Sequence, residues 1–315
     1  MYHFAFLLLA CLCTAAQSPP TPSLQTEAIK FVAAARTVAV DNAVTFLTAN
    51  NGAHHPYNTL CLKTLHDVGV RNAVMLNFGA AFTHDLVTVV NVLYLPPCNQ
   101  PDERRRISCA RLFYLFELLK AGIDVFQVDT DIIFFKDPYP YFIPNVDVQA
   151  MSDGVILDHA YGYNSFTPTT IGDAKIDRAA KTPGQVEFRV NQLNIGCVFI
   201  RSNERTILLL NTTTQTLQHT NVWEQLLLSQ LILSWTLQNF LSFLILDPYF
   251  FMNSGFYINN DLLFPPVLVH SSHHVDKHGI LVKIQAHNFS KPTPTELPDA
   301  PFVFDFNGSP YSSKV

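Results

Sequence analysis

Val125-Phe-Gln-Val-Asp-Thr-Asp-Ile-Ile-Phe-Phe135 is an apolar, β-branched run broken once, by Asp129-Thr130-Asp131. Several such residues in a row read as a buried strand. Two carboxylates at its end are costly to bury unless a cation pairs with them. Hard divalent metals take carboxylate oxygens and are one such partner. Taken alone, the two acids are equally well explained as a solvated strand end, so the flanking sequence has to decide. Residues 104–121 have helical spacing, with Leu112, Leu115, Phe116 and Leu119 recurring along them and Gly122 where a C-cap belongs. Strand patterns at 44–48 and 73–77 and helical spacing at 57–68 come earlier. Strand and helix in alternation predict an α/β fold with a mostly parallel sheet and helical crossovers. Ligands of such sheets bind beyond the carboxyl ends of the strands. Asp129 and Asp131 stand at or near such an end.

Composition narrows the class. The 315 residues are 48 % hydrophobic and 14 % charged, as in a well-buried globular chain and not a disordered one. Twenty basic residues against twenty-five acidic ones leave a net charge of −5 with no basic stripe, which argues against nucleic acid as a partner. Residues 1–16 read as a secretory signal, with a short apolar core and Thr14-Ala15-Ala16 for cleavage. An uncleaved anchor is the rival reading, although the apolar run is shorter than the roughly 20 residues of a spanning helix. A membrane partner follows only if that segment is retained. Sequons at Asn211, Asn288 and Asn307 fit a secretory route. Once the signal is removed, Cys61, Cys98, Cys109 and Cys197 remain, enough for two disulfides in three connectivities; Cys197 also reads as a buried thiol.

Residues 17–40 form a lead or stem that begins rich in Pro, Ser and Thr, 41–292 a single large domain, and 293–315 a tail. Helical patterning begins within the lead, at 27–37. Later in the chain, 86–95 and 148–151 are strand-like, 157–185 is irregular, and Leu193-Asn-Ile-Gly-Cys-Val-Phe-Ile-Arg201 is a strand with an Asn-x-Gly bend. Residues 204–246 are mostly helical. Within them, 226–246 is apolar enough to test as a membrane span, but Gln230, Gln238 and Asn239 favour a buried core helix. Val269-His270 closes another apolar run, followed by Ser271-Ser272-His273-His274, His278-Gly279 and Lys283. The cluster reads either as a polar surface loop or as a metal and anion site: imidazole suits transition metals, and a glycine turn with a lysine suits phosphate oxygens.

Arg111 ahead of Gly122, the Asp129-Thr130-Asp131 strand with its trailing Asp137-Pro138, Asn194-Ile-Gly-Cys-Val-Phe-Ile-Arg-Ser-Asn203, and His270 followed by Gly279 and Lys283 come in a fixed order. That order resembles the nucleotide-diphospho-sugar transferase domain of glycosyltransferase family 77, over about residues 44–289. The resemblance implies a GT-A-like fold, a nucleotide sugar donor such as a UDP-sugar, a glycan or glycoprotein acceptor in the Golgi lumen or outside the cell, and retention at the anomeric carbon. It also implies a divalent metal, Mn2+ with Mg2+ as the alternative. Asp129, Asp131 and either His270 or His273 would hold it. Gly279 and Lys283 would clamp the phosphates; Thr48, Asn50 and Asn51 would meet base and ribose. Arg111 would lie by the nucleotide or the acid pair, and Asn194 and Gly196 would face the donor sugar or acceptor. Family members carry Asp-Gln in the late helix, where Ser229-Gln230 stands here, leaving Gln230 as the catalytic candidate. An active transferase, a degenerate sugar-nucleotide binder and a metal-dependent phosphoesterase are the three readings, and sugar-nucleotide turnover separates them.

Overall fold

The computed structural model describes residues 22–50, 56–100, 102–154, 193–259, 265–272 and 276–286, with the backbone of two short ribbons. In chain order, α1 (Pro22–Val38) leads into β1 (Ala43–Asn50), α2 (Pro56–Asp67), β2 (Ala73–Phe78) and β3 (Thr88–Val92). Then come α3 (Glu103–Lys120), β4 (Asp124–Asp129), β5 (Ile132–Phe134) and β6 (Val148–Ser152). A ribbon of β7 (Asn164–Phe166) and β8 (Val186–Phe188) precedes β9 (Leu193–Ile200), α4 (Glu204–His219), α5 (Glu224–Leu237) and β10 (Phe243–Ile245). Last are β11 (Phe251–Asn253), α6 (Ser254–Asn259), β12 (Leu268–His270), α7 (Lys277–Gln285) and a ribbon of β13 (Val303–Phe304) and β14 (Pro310–Tyr311).

Seven strands make the main sheet, in the order β10-β6-β9-β4-β1-β2-β3. All neighbours run parallel except β9, which is antiparallel to both β4 and β6. The mixed, mostly parallel α/β sheet flanked by helices is the expected one. Gly122 adopts φ +81° just after α3, the left-handed turn that lets the chain leave the helix and enter β4 at once. The central strands are buried along their length, as β1, β2 and β9 show, because helices cover both faces.

The run at 125–135 departs from a single strand. β4 ends at Asp129 in the main sheet, and β5 starts at Ile132 in a second, three-stranded sheet, ordered β11-β12-β5. Asp129-Thr130-Asp131 is the step between the two sheets. The antiparallel pairing of β5 with β12 sets His270 opposite Ile132. Residues nearly 140 apart in sequence are thereby locked beside each other.

Three further expectations change. The lead segment 17–40 overlaps α1, whose Leu24, Ala28, Phe31 and Ala35 are buried in the main core. The ring of Phe31 packs on Phe46 at 5.3 Å and on Tyr114 at 5.2 Å. The helical stretch 204–246 breaks after His219, where Thr220 turns extended and its amide closes on the Thr216 carbonyl, and again at Gln238, so that the final apolar residues form edge strand β10. Asn211 lies within α4, and the Thr213 hydroxyl of its sequon is buried against the carbonyl of Leu209. Among the described residues no helix is long and apolar enough to cross a membrane. Cys98 and Cys109 form a disulfide, while Cys61 and Cys197 are free, buried thiols. The expected signal peptide, Asn51, His273, most of the 157–185 segment and the sequons at Asn288 and Asn307 lie outside the described residues.

Candidate active site

The step between the sheets gathers three potential ligands. Single donor atoms of Asp129, Asp131 and His270 all lie within 4.8 Å of one another. His270 Nε2 is 3.1 Å from Asp131 Oδ1 and 3.8 Å from Asp129 Oδ2. Strand pairing carries this geometry: β12 delivers His270 against β5, and the Ser271 amide donates to the Asp131 carbonyl at 3.0 Å. β9 supplies the floor. Its antiparallel register pairs Cys197 with Val128, so Gly196 lies one step further, against Asp129. A Cβ on Gly196 would sit 2.5 Å from Asp129 Oδ2 and 2.7 Å from His270 Cε1. Only a glycine leaves the space between those two groups open.

Asp131 is nearly fully buried at 4 % exposure, so its charge has to be met locally. Lys277 Nζ lies 2.5 Å from its Oδ2, the Ser271 hydroxyl donates to the same oxygen at 3.1 Å, and His270 faces Oδ1. Burial alone would raise the Asp131 pKa; His270 and Lys277 outweigh it and hold the carboxyl well below its usual range. Burial pulls the His270 pKa down, but Asp131 and then Asp129 raise it overall. The same contest raises that of Lys277.

Asp129 is braced from the other side. Arg111 Nη1 donates to Asp129 Oδ1 at 2.6 Å, and its Nη2 is 3.9 Å from Glu224 Oε1. Arg111 and Glu224 are both buried, and Glu224 Oε2 has no hydrogen-bond partner among the described residues. Next to them, Asn194 Nδ2 donates to Asp153 Oδ1 at 2.5 Å and to the Ser272 hydroxyl at 3.0 Å, while its Oδ1 accepts from the Gly196 amide at 2.8 Å. Gln225 Nε2 donates to the other Asp153 oxygen at 2.8 Å.

Two oxygens, one imidazole nitrogen and a glycine-lined gap fit a divalent metal of the Mn or Mg kind. Asp129, Asp131 and His270 would hold it. Of the other residues singled out from sequence, Arg111, Asn194 and Gly196 meet at this site, and Thr48 pairs with Asp129 in the β1–β4 register, with Asn50 at the end of β1. Gln230 is exposed on α5, and Ser229 donates to the Gln225 carbonyl in its own helix. The acid–amide pair at the site is Glu224-Gln225, at the start of the same helix. The Gly279 amide is taken by the N-cap of α7, Asp276 Oδ1, at 2.8 Å, and Lys283 is exposed near that helix's end. Lys277, one residue past the cap, is the lysine that reaches the acids. Sequence reading passed over Lys277 and Glu224. The Asp276 cap and a Glu-Gln at a helix start were the available signals.

Residues 100–283 match the family model described as nucleotide-diphospho-sugar transferase. Two Arabidopsis thaliana proteins are similar: arabinosyltransferase RRA2, 26 % identical over 261 residues, and arabinosyltransferase RRA1, 24 % identical over 264. Each alignment covers 76 % of this chain, with 58 % of RRA2 and 62 % of RRA1, so the chain spans about three-fifths of these relatives. Among solved structures, a glycosyltransferase involved in glycosylation of the major capsid of PBCV-1 aligns over 77 % of this chain and 99 % of its own, at 10 % identity and TM-score 0.43.

Proposed function

We propose that this chain, which belongs to the nucleotide-diphospho-sugar transferase family, is a metal-dependent, retaining glycosyltransferase that moves a sugar from a UDP-sugar to a glycan or glycoprotein acceptor in the secretory pathway. The observation that carries the reading is the Asp129–Asp131–His270 cluster at the carboxyl end of the sheet, with its gap kept open by Gly196. The names of the two Arabidopsis relatives favour a pentose donor of the arabinose type.

A bound divalent ion would offset the negative charge that gathers on the nucleoside diphosphate as the sugar's C1–O bond breaks. Around it the chain's own groups divide the work. Asp131 and His270 provide rigid, buried ligand atoms, and Asp129 the third, at 35 % side-chain exposure and therefore open to the donor's side. Lys277, 40 % exposed, has the reach to share its charge between Asp131 and a phosphate oxygen. Thr48 and Asn50 lie at the end of β1, where base and ribose would rest. Asp153, positioned by Asn194 and Gln225, offers a carboxylate on the side where sugar and acceptor would meet. Glu224 at the site removes the reason, drawn from Ser229, for reading the chain as a degenerate binder. The phosphoesterase reading has no further support beside the family match.

The test is turnover of a panel of sugar nucleotides with Mn2+, by the full chain and by Asp131→Ala. The expected result is release of nucleoside diphosphate from one UDP-sugar, abolished in the variant. Equal turnover by a folded Asp131→Ala chain would sink the metal assignment, and no turnover of any donor would sink the transferase.

A further inference from the structure

Arg111 and Glu224 lie on different helices, and their 3.9 Å separation is too long for a hydrogen bond. The pair does not fix its own geometry; whatever sets α3 against the first turn of α5 does. The segment from Cys98 to Gln100 joins both. Cys98 is bonded to Cys109, half a turn from Arg111 on α3. The Asn99 amide donates to the Leu217 carbonyl at 3.0 Å, near the end of α4. Gln100, 8 % exposed, donates from Nε2 to the carbonyls of Thr220 at 3.2 Å and Val222 at 2.9 Å. Those carbonyls belong to the connection that runs directly into Glu224. One short segment therefore holds α3 covalently, the end of α4 by one hydrogen bond and the α4–α5 connection by two.

We propose that this segment is a positioning clamp: Cys98 and Gln100 set the spacing of Arg111 and Glu224, and through Arg111 they orient Asp129 for metal binding. The inference rests on the metal reading given above. None of the clamp residues touches substrate or metal. Their effect is carried by the Arg111 guanidinium, which donates to Asp129 Oδ1 at 2.6 Å. Released from the clamp, α3 and the first turn of α5 shift apart, the guanidinium loses the carboxylate of Glu224 on its far side, and Asp129 loses its fixed orientation. Groups that orient metal ligands are worth roughly 10–100-fold in affinity.

The experiment measures Mn2+ binding to the full chain without donor, by paramagnetic resonance of free Mn2+, alongside thermal unfolding. The variants are Gln100→Ala, the double variant Cys98→Ser/Cys109→Ser, and Asn72→Ala. Asn72, just before β2, donates to the Ala43 carbonyl at the start of β1, away from the site, and controls for lost stability alone. The clamp predicts about tenfold weaker Mn2+ binding in the first two and wild-type affinity in the third. Wild-type affinity in folded Gln100→Ala overturns the clamp and leaves the metal site standing. An equal loss in Asn72→Ala also overturns it, because the effect would then follow stability. Absence of Mn2+ binding by the wild-type chain overturns both clamp and metal reading. Should the double variant fail to fold, Gln100→Ala decides alone.

Discussion

Gly196 is where the smallest change should do the most. A methyl there would meet Asp129 Oδ2 at 2.5 Å and His270 Cε1 at 2.7 Å, and Asn194 Oδ1 at 2.8 Å on its third side. All three neighbours are held by their own hydrogen bonds or ion pairs, so none gives way freely. Gly196→Ala is expected to weaken Mn2+ binding by on the order of 10–100-fold while circular dichroism stays unchanged; calorimetric titration checks it. Lys277→Met should raise the donor KM by roughly tenfold, the worth of one hydrogen bond to a charged group, with steady-state kinetics as the readout. The two acids could be picked out from sequence because carboxylates at the end of a buried strand call for a cation, whereas His270 was legible only as one of two candidates with His273. Lys277 could not, since the nearby Lys283 carried the family spacing and only the Asp276 cap turns α7 so that Lys277 points at Asp131.

Elements explain how these residues meet. The continuous apolar run at 125–135 hides its own division, because β4 and β5 are both buried and differ only in which sheet they join. Hydrophobic pattern reports burial and not partner. The helix and its glycine stop were plain because spacing and cap agreed. The end of α5 was not, since an apolar edge strand follows it with little polar interruption. One buried acid ties several elements together. Asp147, just before β6, accepts from Arg205 Nε at 2.9 Å and Nη2 at 2.6 Å, from Asn203 Nδ2 at 2.8 Å and from the Ser242 amide at 2.9 Å. It thereby joins β6, the N-terminus of α4 and the approach to β10. Burial alone would raise its pKa, but these donors outweigh it and leave it below the ordinary 3.8. A depressed folded pKa contributes stability above the unfolded value and loses it as pH falls through that value toward the folded one. Asp147→Asn should therefore cost about 2–3 kcal/mol at pH 7, below the range for a fully buried pair because Arg205 is half exposed. The gap from wild type should narrow below about pH 4. Urea unfolding at both pH values measures it.

At the scale of the whole molecule, α1 belongs to the domain that carries the site. Phe31 is fully buried against Phe46 and Tyr114, and Glu27 accepts the amides of Leu93 at 3.0 Å and Tyr94 at 3.2 Å, just past edge strand β3. The helical patterning at 27–37 was legible in the sequence; its first turn, from Pro22, was hidden by the Pro-, Ser- and Thr-rich stretch before it, and the pattern did not say that the helix joins the core. Phe31→Ala is expected to destabilise the fold by about 3–5 kcal/mol, and a chain starting at residue 41 should fail to give a cooperative unfolding transition. The two sheets, the helices that cover them and α1 together fix one point, the step from β4 to β5, against β9 and β12. The most direct test of that point is anomalous diffraction at the manganese edge from crystals of the full chain soaked in MnCl2. The account predicts a single strong peak with Asp129, Asp131 and His270 ligand atoms at about 2.0–2.3 Å. A peak held by other residues, or no peak at this step in a manganese-saturated crystal, would contradict it.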